Sequence, residues 1–146
     1  MEKQNYEFMN TTALAFMGDA VYEIYVRKHV MERGLINADI LHREAVRFVR
    51  ADAQAAALKL LMDKLSESEL NLVKRARNKK SATKPRNADP VDYKLATAFE
   101  ALVGFLYLSQ NHERMEELID QTIDLIERKK GKENAGAQKE EKGCSQ

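Results

Sequence analysis

Two hydrophobic helical runs in this chain each carry a carboxylate where packing would place an apolar side chain. They are L-A-F-M-G-D-A-V-Y-E (Leu14 to Glu23) and A-T-A-F-E-A-L-V-G-F-L-Y-L (Ala96 to Leu108). On a helix, residues three and four apart share a face, which sets Asp19 beside Ala15, Phe16, Tyr22 and Glu23, and Glu100 beside Ala96, Thr97, Val103 and Gly104. Each acid therefore leans toward packed surface. Taking an ionised carboxylate out of water costs on the order of several kcal/mol unless a cation or a set of donors compensates. A fold that accepts both runs must supply that compensation twice, and one shared divalent cation would serve both.

The chain's 146 residues predict a single domain with a real core. Charged residues interrupt the longest apolar stretches well before membrane-spanning length, so no membrane association is expected. The opening segment, Met1 to Asn10, carries acids and no apolar core, unlike a secretory signal or a basic transit peptide, and a cytoplasmic protein is the expectation. The one cysteine, Cys144, excludes an internal disulfide and a cysteine-based zinc site, so a metal here would be bound by oxygen or histidine. The net charge of +1 conceals a local excess: seven basic residues and no acid between Asn71 and Ala88, which leaves the remainder net acidic. Such a run is either a solvated loop or a specific polyanion contact.

Helical periodicity dominates, and few strand candidates survive. A first helix is predicted from Asn10 or Thr11 to about Arg33, stopped at Gly34. A second, long helix with room for a bend begins near Asn37 to Asp39 and continues through A-D-A-Q-A-A-A-L-K-L-L-M. Ser66 and Glu69 read as a capping box for a third, whose end flows into the basic segment. Lys79 to Asn87 has loop composition, with Pro85 disfavouring helix at Lys84. Asp89 and Pro90 open a fourth helix, and a fifth, amphipathic one ends in R-K-K-G. The domain expectation is residues 1–130 as the folded unit, with 131–146 a disordered polar tail.

The segments F-M-G-D-A-V (Phe16 to Val21) and A-F-E-A-L-V-G-F-L-Y-L (Ala98 to Leu108) resemble, in order, the two signature segments of the ribonuclease III catalytic domain. The L-A-F-M-G-D opening, the segment R-N-K-K-S-A-T-K-P-R-N and the lack of a following double-stranded-RNA-binding domain resemble its short Mini-ribonuclease III subfamily. The resemblance spans about residues 10 to 127. It implies an all-α, homodimeric endoribonuclease that cuts double-stranded RNA with Mg²⁺, for which Mn²⁺ can substitute. The subfamily association adds precursor large-subunit (23S) ribosomal RNA as substrate and a large-subunit ribosomal protein as a further partner. Carried over by position, Asp19 and Glu100 are the catalytic metal ligands. The longer enzymes have a glutamate where this chain has Ala15 and an aspartate where it has Thr97, a thinning that the Mini subfamily shares.

These readings combine into metal-assisted phosphodiester hydrolysis with Asp19 and Glu100 as ligands. Glu23, one turn after Asp19, is expected to face solvent or support the site from outside. Gly18 and Gly104 are expected to let two helices pack closely. Arg75, Arg77, Asn78, Lys79, Lys80, Lys84 and Arg86 are expected to contact the phosphates and 2′-hydroxyls of A-form RNA. Two cuts on a duplex suit a twofold pair of sites, and the apolar surface around Phe99, Val103, Phe105 and Tyr107 is expected to bury the dimer interface. Two other readings remain: a noncatalytic RNA-binding or ribosome-associated helical protein, and a helical adaptor for protein partners.

Overall fold

Asn10 turns the chain into α1 (Thr11–Met31), its side-chain carbonyl accepting the Thr12 amide at 2.8 Å. Gly34 follows the helix with φ +77°, as its position past the helix end predicts. The computed structural model describes residues 5–34, 36–80 and 87–143, the last helix beyond Lys129 by its backbone alone. After α1 come α2 (Ala38–Val49), α3 (Ala51–Leu61), α4 (Glu67–Asn78), α5 (Pro90–Leu108) and α6 (His112–Gly143), with short 3-10 turns at Tyr6–Phe8 and Met62–Lys64. No strand occurs among the described residues, so the protein is all-α.

The predicted long second helix is two helices. Arg50, at φ −59° and ψ 142°, interrupts it and makes an elbow. The break lets α3 turn Ala55, Leu58 and Leu61 into the core, while α2 stays at the surface with Phe48 as its one buried residue. The predicted caps hold: Asn37 accepts from Asp39 and Ile40, Asp89 from Val91 and Asp92, and Ser66 and Glu69 form both halves of the capping box. Glu69 also ties α4 to α6, its two oxygens accepting from Arg114 Nε at 3.0 Å and Nη2 at 2.9 Å. α6 runs on to Gly143 where its sequence was expected to give way near Gly131, because Lys, Glu, Ala and Gln favour helix even without an apolar face.

α5 is the axle. It packs against α1, α3 and α4, and most of its length is buried. Tyr22 from α1 meets Phe99 edge to face, with ring centroids 5.1 Å apart. This corrects the expected dimer surface: Phe99 and Val103 are fully buried within the single chain, Phe105 packs against the core, and only Tyr107 of that group is exposed. A helix apolar nearly all round is a core helix, and that requirement comes before any interface. The large apolar side chains left exposed are elsewhere, with Phe16 at 81% and Ile24 also outside, both on α1.

Candidate active site

The crossing of α1 and α5 is built on two glycines. A Cβ on Gly18 would stand 1.7 Å from the Glu100 carbonyl oxygen, and one on Gly104 would stand 1.9 Å from the Leu14 carbonyl oxygen. The helices thus touch backbone to backbone, as expected of two residues without side chains. The residue after Gly18 is Asp19, and Glu100 is itself the contact point on the other helix. Two acids 81 positions apart in sequence meet because no side chain separates their backbones.

Their environments differ. Glu100 is half-buried, while Asp19 is exposed, so the expectation that both lean on packed surface holds for Glu100 alone. Burial, and then repulsion from Asp19, push the Glu100 carboxyl up to about 8, against a smaller opposing effect of a hydrogen bond from Gln54. Asp19 is also raised, by burial and then by the charge of Glu23. Among the described residues neither acid has an ion pair, whereas Glu23 is held by Arg27 at 2.7 Å and is thereby turned to a surface pairing. Two mutually repelling carboxylates without a basic partner fit a hard divalent cation. Magnesium keeps several waters and often takes only one or two protein carboxylates. No cluster of three or more acidic, histidine or cysteine ligands stands among the described residues.

At the positions where the longer enzymes carry further acids, Ala15 is buried, and Thr97 Oγ1 donates to its own helix at Tyr93 O, 2.9 Å. Sequence reasoning missed two neighbours of Glu100. Tyr22 is buried beneath it, its hydroxyl pushed up by burial and then by the Glu100 charge. Gln54 is the other, and its position on the stripe Gln54, Leu58, Leu61 was the available signal.

Asp19 and Glu100 make a testable pH signature. A carboxyl that holds its proton more tightly folded than unfolded stabilises the protein fully below its unfolded value near 4.5, and that contribution falls as pH rises toward about 8. In EDTA, thermal stability should therefore decline over that window, by on the order of a few kcal/mol in total. A divalent ion binds the ionised pair, so Mg²⁺ should raise Tm more at pH 8 than at pH 5. A flat Tm profile in EDTA would count against a proton-retentive Glu100 beside Asp19.

The predicted RNA contacts divide. Arg75 Nη2 donates to Met9 O at 3.3 Å, and Lys79 Nζ donates to Asn10 Oδ1 at 2.8 Å and Thr12 Oγ1 at 2.7 Å. These two therefore staple the end of α4 to the start of α1. Arg77 donates to Asn78 Oδ1 at 3.4 Å, and Asn78 and Lys80 are exposed. Lys84 and Arg86 lie outside the described residues. The stapled end of α4 is roughly 10 Å along α1 from Asp19, seven residues of helical rise. Basic surface and acid pair are therefore neighbours.

With the crossing, the acid pair and the basic segment in place, the comparisons with known proteins agree. Residues 12–111 match the family described as Ribonuclease III domain, and the chain belongs to that family. Within it, the chain is similar to Mini-ribonuclease 3 of Brevibacillus brevis, 50% identical over 118 residues, which covers 81% of this chain and 88% of that protein. It is also similar to Mini-ribonuclease 3 of Streptococcus pneumoniae, 43% identical over 121 residues, covering 82% and 94%. An X-ray structure of a Fusobacterium nucleatum protein shares the fold with TM-score 0.73 at 33% identity, covering 80% of this chain and 93% of that one. The chain is an endoribonuclease, and its substrate class is double-stranded RNA. No helix among the described residues is long and apolar enough to cross a membrane.

Proposed function

We propose that Asp19 and Glu100 are the catalytic pair of this endoribonuclease, that Mg²⁺ is its ion, and that its substrate is precursor large-subunit ribosomal RNA. The observation that carries this reading is the glycine crossing that sets two unpaired, proton-retentive acids side by side. A divalent ion bound there supplies Lewis acidity to phosphate oxygens and a water of lowered pKa. Asp19, open to solvent, is the side from which an RNA phosphate can approach. Glu100, set in the crossing, is fixed by the packing of α5 and keeps its place as the substrate docks. Arg77, half-buried, and the exposed Lys80, together with Asn78, Lys84 and Arg86, hold the sugar–phosphate backbone, while Arg75 and Lys79 fix that surface to the helix that bears Asp19. The folded catalytic unit is residues 1–130, with 131–146 an appendage to it.

The working form is a homodimer, and α1 supplies the surface. Phe16 stands three residues before Asp19 and is among the most exposed apolar side chains, with Ile24 two turns further on. A twofold contact there would bring two acid pairs onto one duplex, one for each strand. Phe16→Ser should shift the protein from dimer to monomer in sedimentation equilibrium without loss of helicity; a wild-type protein that sediments as a monomer at high concentration would refute the arrangement. The test of the function itself is incubation of a structured duplex RNA with protein and Mg²⁺, against EDTA and Asp19→Asn. A purified precursor of large-subunit ribosomal RNA, with and without large-subunit ribosomal proteins, tests the substrate assignment.

A further inference from the structure

Arg50 stands where a helix start normally carries a capping side chain. Ser, Thr, Asp or Asn ahead of a helix is worth about 1 kcal/mol, and the starts of α1, α2, α4 and α5 all use one. Ahead of α3, Arg50 offers no acceptor and makes no such bond. The elbow that carries it is nevertheless tied down. Tyr22, three residues after Asp19 on α1, donates from Oη to Phe48 O at 2.9 Å, and its ring meets Phe99, the neighbour of Glu100. From the α3 side Gln54 Nε2 donates to Val49 O at 2.8 Å. Arg50, two residues past Phe48, thus belongs to an elbow hung one tyrosine side chain away from the crossing that bears the acid pair.

From this elbow a groove of about 590 Å³ opens between α3 and α6. Arg47 and Arg50 line it on one side and Arg128 and Lys129 on the other, against one acid, Asp52. Between the cations the surface is aliphatic, with Ala53, Ala56 and Leu60, the last 61% exposed. Arg47 is committed to Glu44 and to the face of Phe48. Arg50 with Asp52 at 3.3 Å and Arg128 with Asp124 at 3.2 Å are instead pairs between largely exposed partners, which contribute little to stability and exchange readily for another anion. Cations on both walls of an aliphatic strip suit a sugar–phosphate strand, whose phosphates meet the charges while its riboses lie on the apolar groups. Along α1 the staple to α4 lies before Asp19, at Asn10 and Thr12, and the elbow lies after it, at Tyr22 and His29. A duplex that bridges the two basic surfaces therefore passes over the acid pair.

We propose that the groove at the α2–α3 elbow is a second sugar–phosphate contact for the duplex RNA substrate, with Arg50, Arg128 and Lys129 as its phosphate-binding side chains. The inference rests on duplex RNA as the substrate and is independent of which acids and which ion perform the cut. Its position beside the acid pair, where the substrate has to lie, favours RNA over an acidic protein segment as the occupant.

The experiment is binding of a blunt duplex RNA to the full chain in EDTA, which arrests metal-dependent cleavage, across a salt series. Wild type is compared with the triple variant Arg50→Gln, Arg128→Gln, Lys129→Gln and with a charge-matched control, Lys28→Gln, Lys59→Gln, Lys64→Gln, made at exposed lysines outside the groove. The groove variant should flatten the slope of log K against log salt by about 2 to 3, with helicity and Tm kept, and the control by less than half as much. An unchanged slope in the groove variant, or an equal change in the control, would overturn the proposal. Should the groove variant not fold, methyl resonances of Ala56 and Leu60 in the intact protein decide the matter. They should shift when the duplex is added, and their standing still while α4 resonances move would refute the contact. Groove methyls that respond to polyglutamate and not to the duplex would hand the surface to an acidic protein partner. A wild-type protein that binds no duplex at low salt would remove the substrate reading and this contact together.

Discussion

Asp19→Asn or Glu100→Gln is expected to slow cleavage of a structured duplex RNA by roughly a thousandfold or more while leaving RNA binding in place. Metal-assisted stabilisation of a transferring phosphoryl group is worth several kcal/mol, and each ~1.4 kcal/mol is a factor of ten in rate. Both substitutions keep the side chain's shape and remove a charge. Since burial and Asp19 both oppose ionisation of Glu100, Glu100→Gln should also raise Tm of the metal-free protein at pH 8. The proposed phosphate contacts lie on and after α4, away from the acid pair, so the salt dependence of binding should be unchanged in either variant. Replacing Arg77 and Lys80 together should flatten the slope of log K against log salt by about 2 and raise KM more than it lowers kcat. Cleavage at near wild-type rate by Asp19→Asn would discard the site, and binding without cleavage by the wild-type protein would favour the noncatalytic reading.

Much of this architecture is written in local signals. Asn10, Asn37, Ser66 with Glu69, and Asp89 with Pro90 each announce a helix start through a side chain that captures free amides, and all of them do so in the fold. The sequence left room for a bend but not its place at Arg50, because the elbow answers to tertiary packing: α3 must bury its face, and of the α2 carbonyls exposed at the bend that of Phe48 is satisfied by Tyr22 from a different helix and that of Val49 by Gln54. The same limit hid the role of α5, whose apolar residues read equally as core or as interface until the neighbouring helices were known. Asp19 and Glu100 stood out because a charge within an apolar run is costly in any fold. Gln54 did not, since an uncharged amide amid alanines costs little until its burial is seen. Arg75 and Lys79 counted as free cations in the sequence, yet they are anchored to α1.

Gly18→Ala and Gly104→Ala should be the most damaging conservative substitutions in the chain. In an open helical position alanine gains up to about 1 kcal/mol over glycine, so propensity alone predicts stabilisation. Here the added methyl would lie 1.7 Å from the Glu100 carbonyl oxygen in one case and 1.9 Å from the Leu14 carbonyl oxygen in the other. Those atoms are backbone in the middle of helices and cannot rotate aside. Relief requires α1 and α5 to separate by more than an ångström, which loosens the contacts of Leu14, Tyr22 and Leu102 together, and overpacking of this severity should cost about 3 kcal/mol or more. For a domain of this size that is a fall in Tm of about 10 °C or more. The same movement carries Asp19 away from Glu100, and a displacement of about 1 Å can cost roughly a hundredfold in rate, so residual folded protein should cleave poorly even well below its Tm. Gly34→Ala separates crowding from conformation: nothing lies within 4 Å of its added methyl, and its φ of +77° predicts a loss of about 1–2 kcal/mol from backbone strain alone, with cleavage intact. If Gly18→Ala instead melted with wild-type Tm and cleaved normally, the two helices could not be in backbone contact at the site.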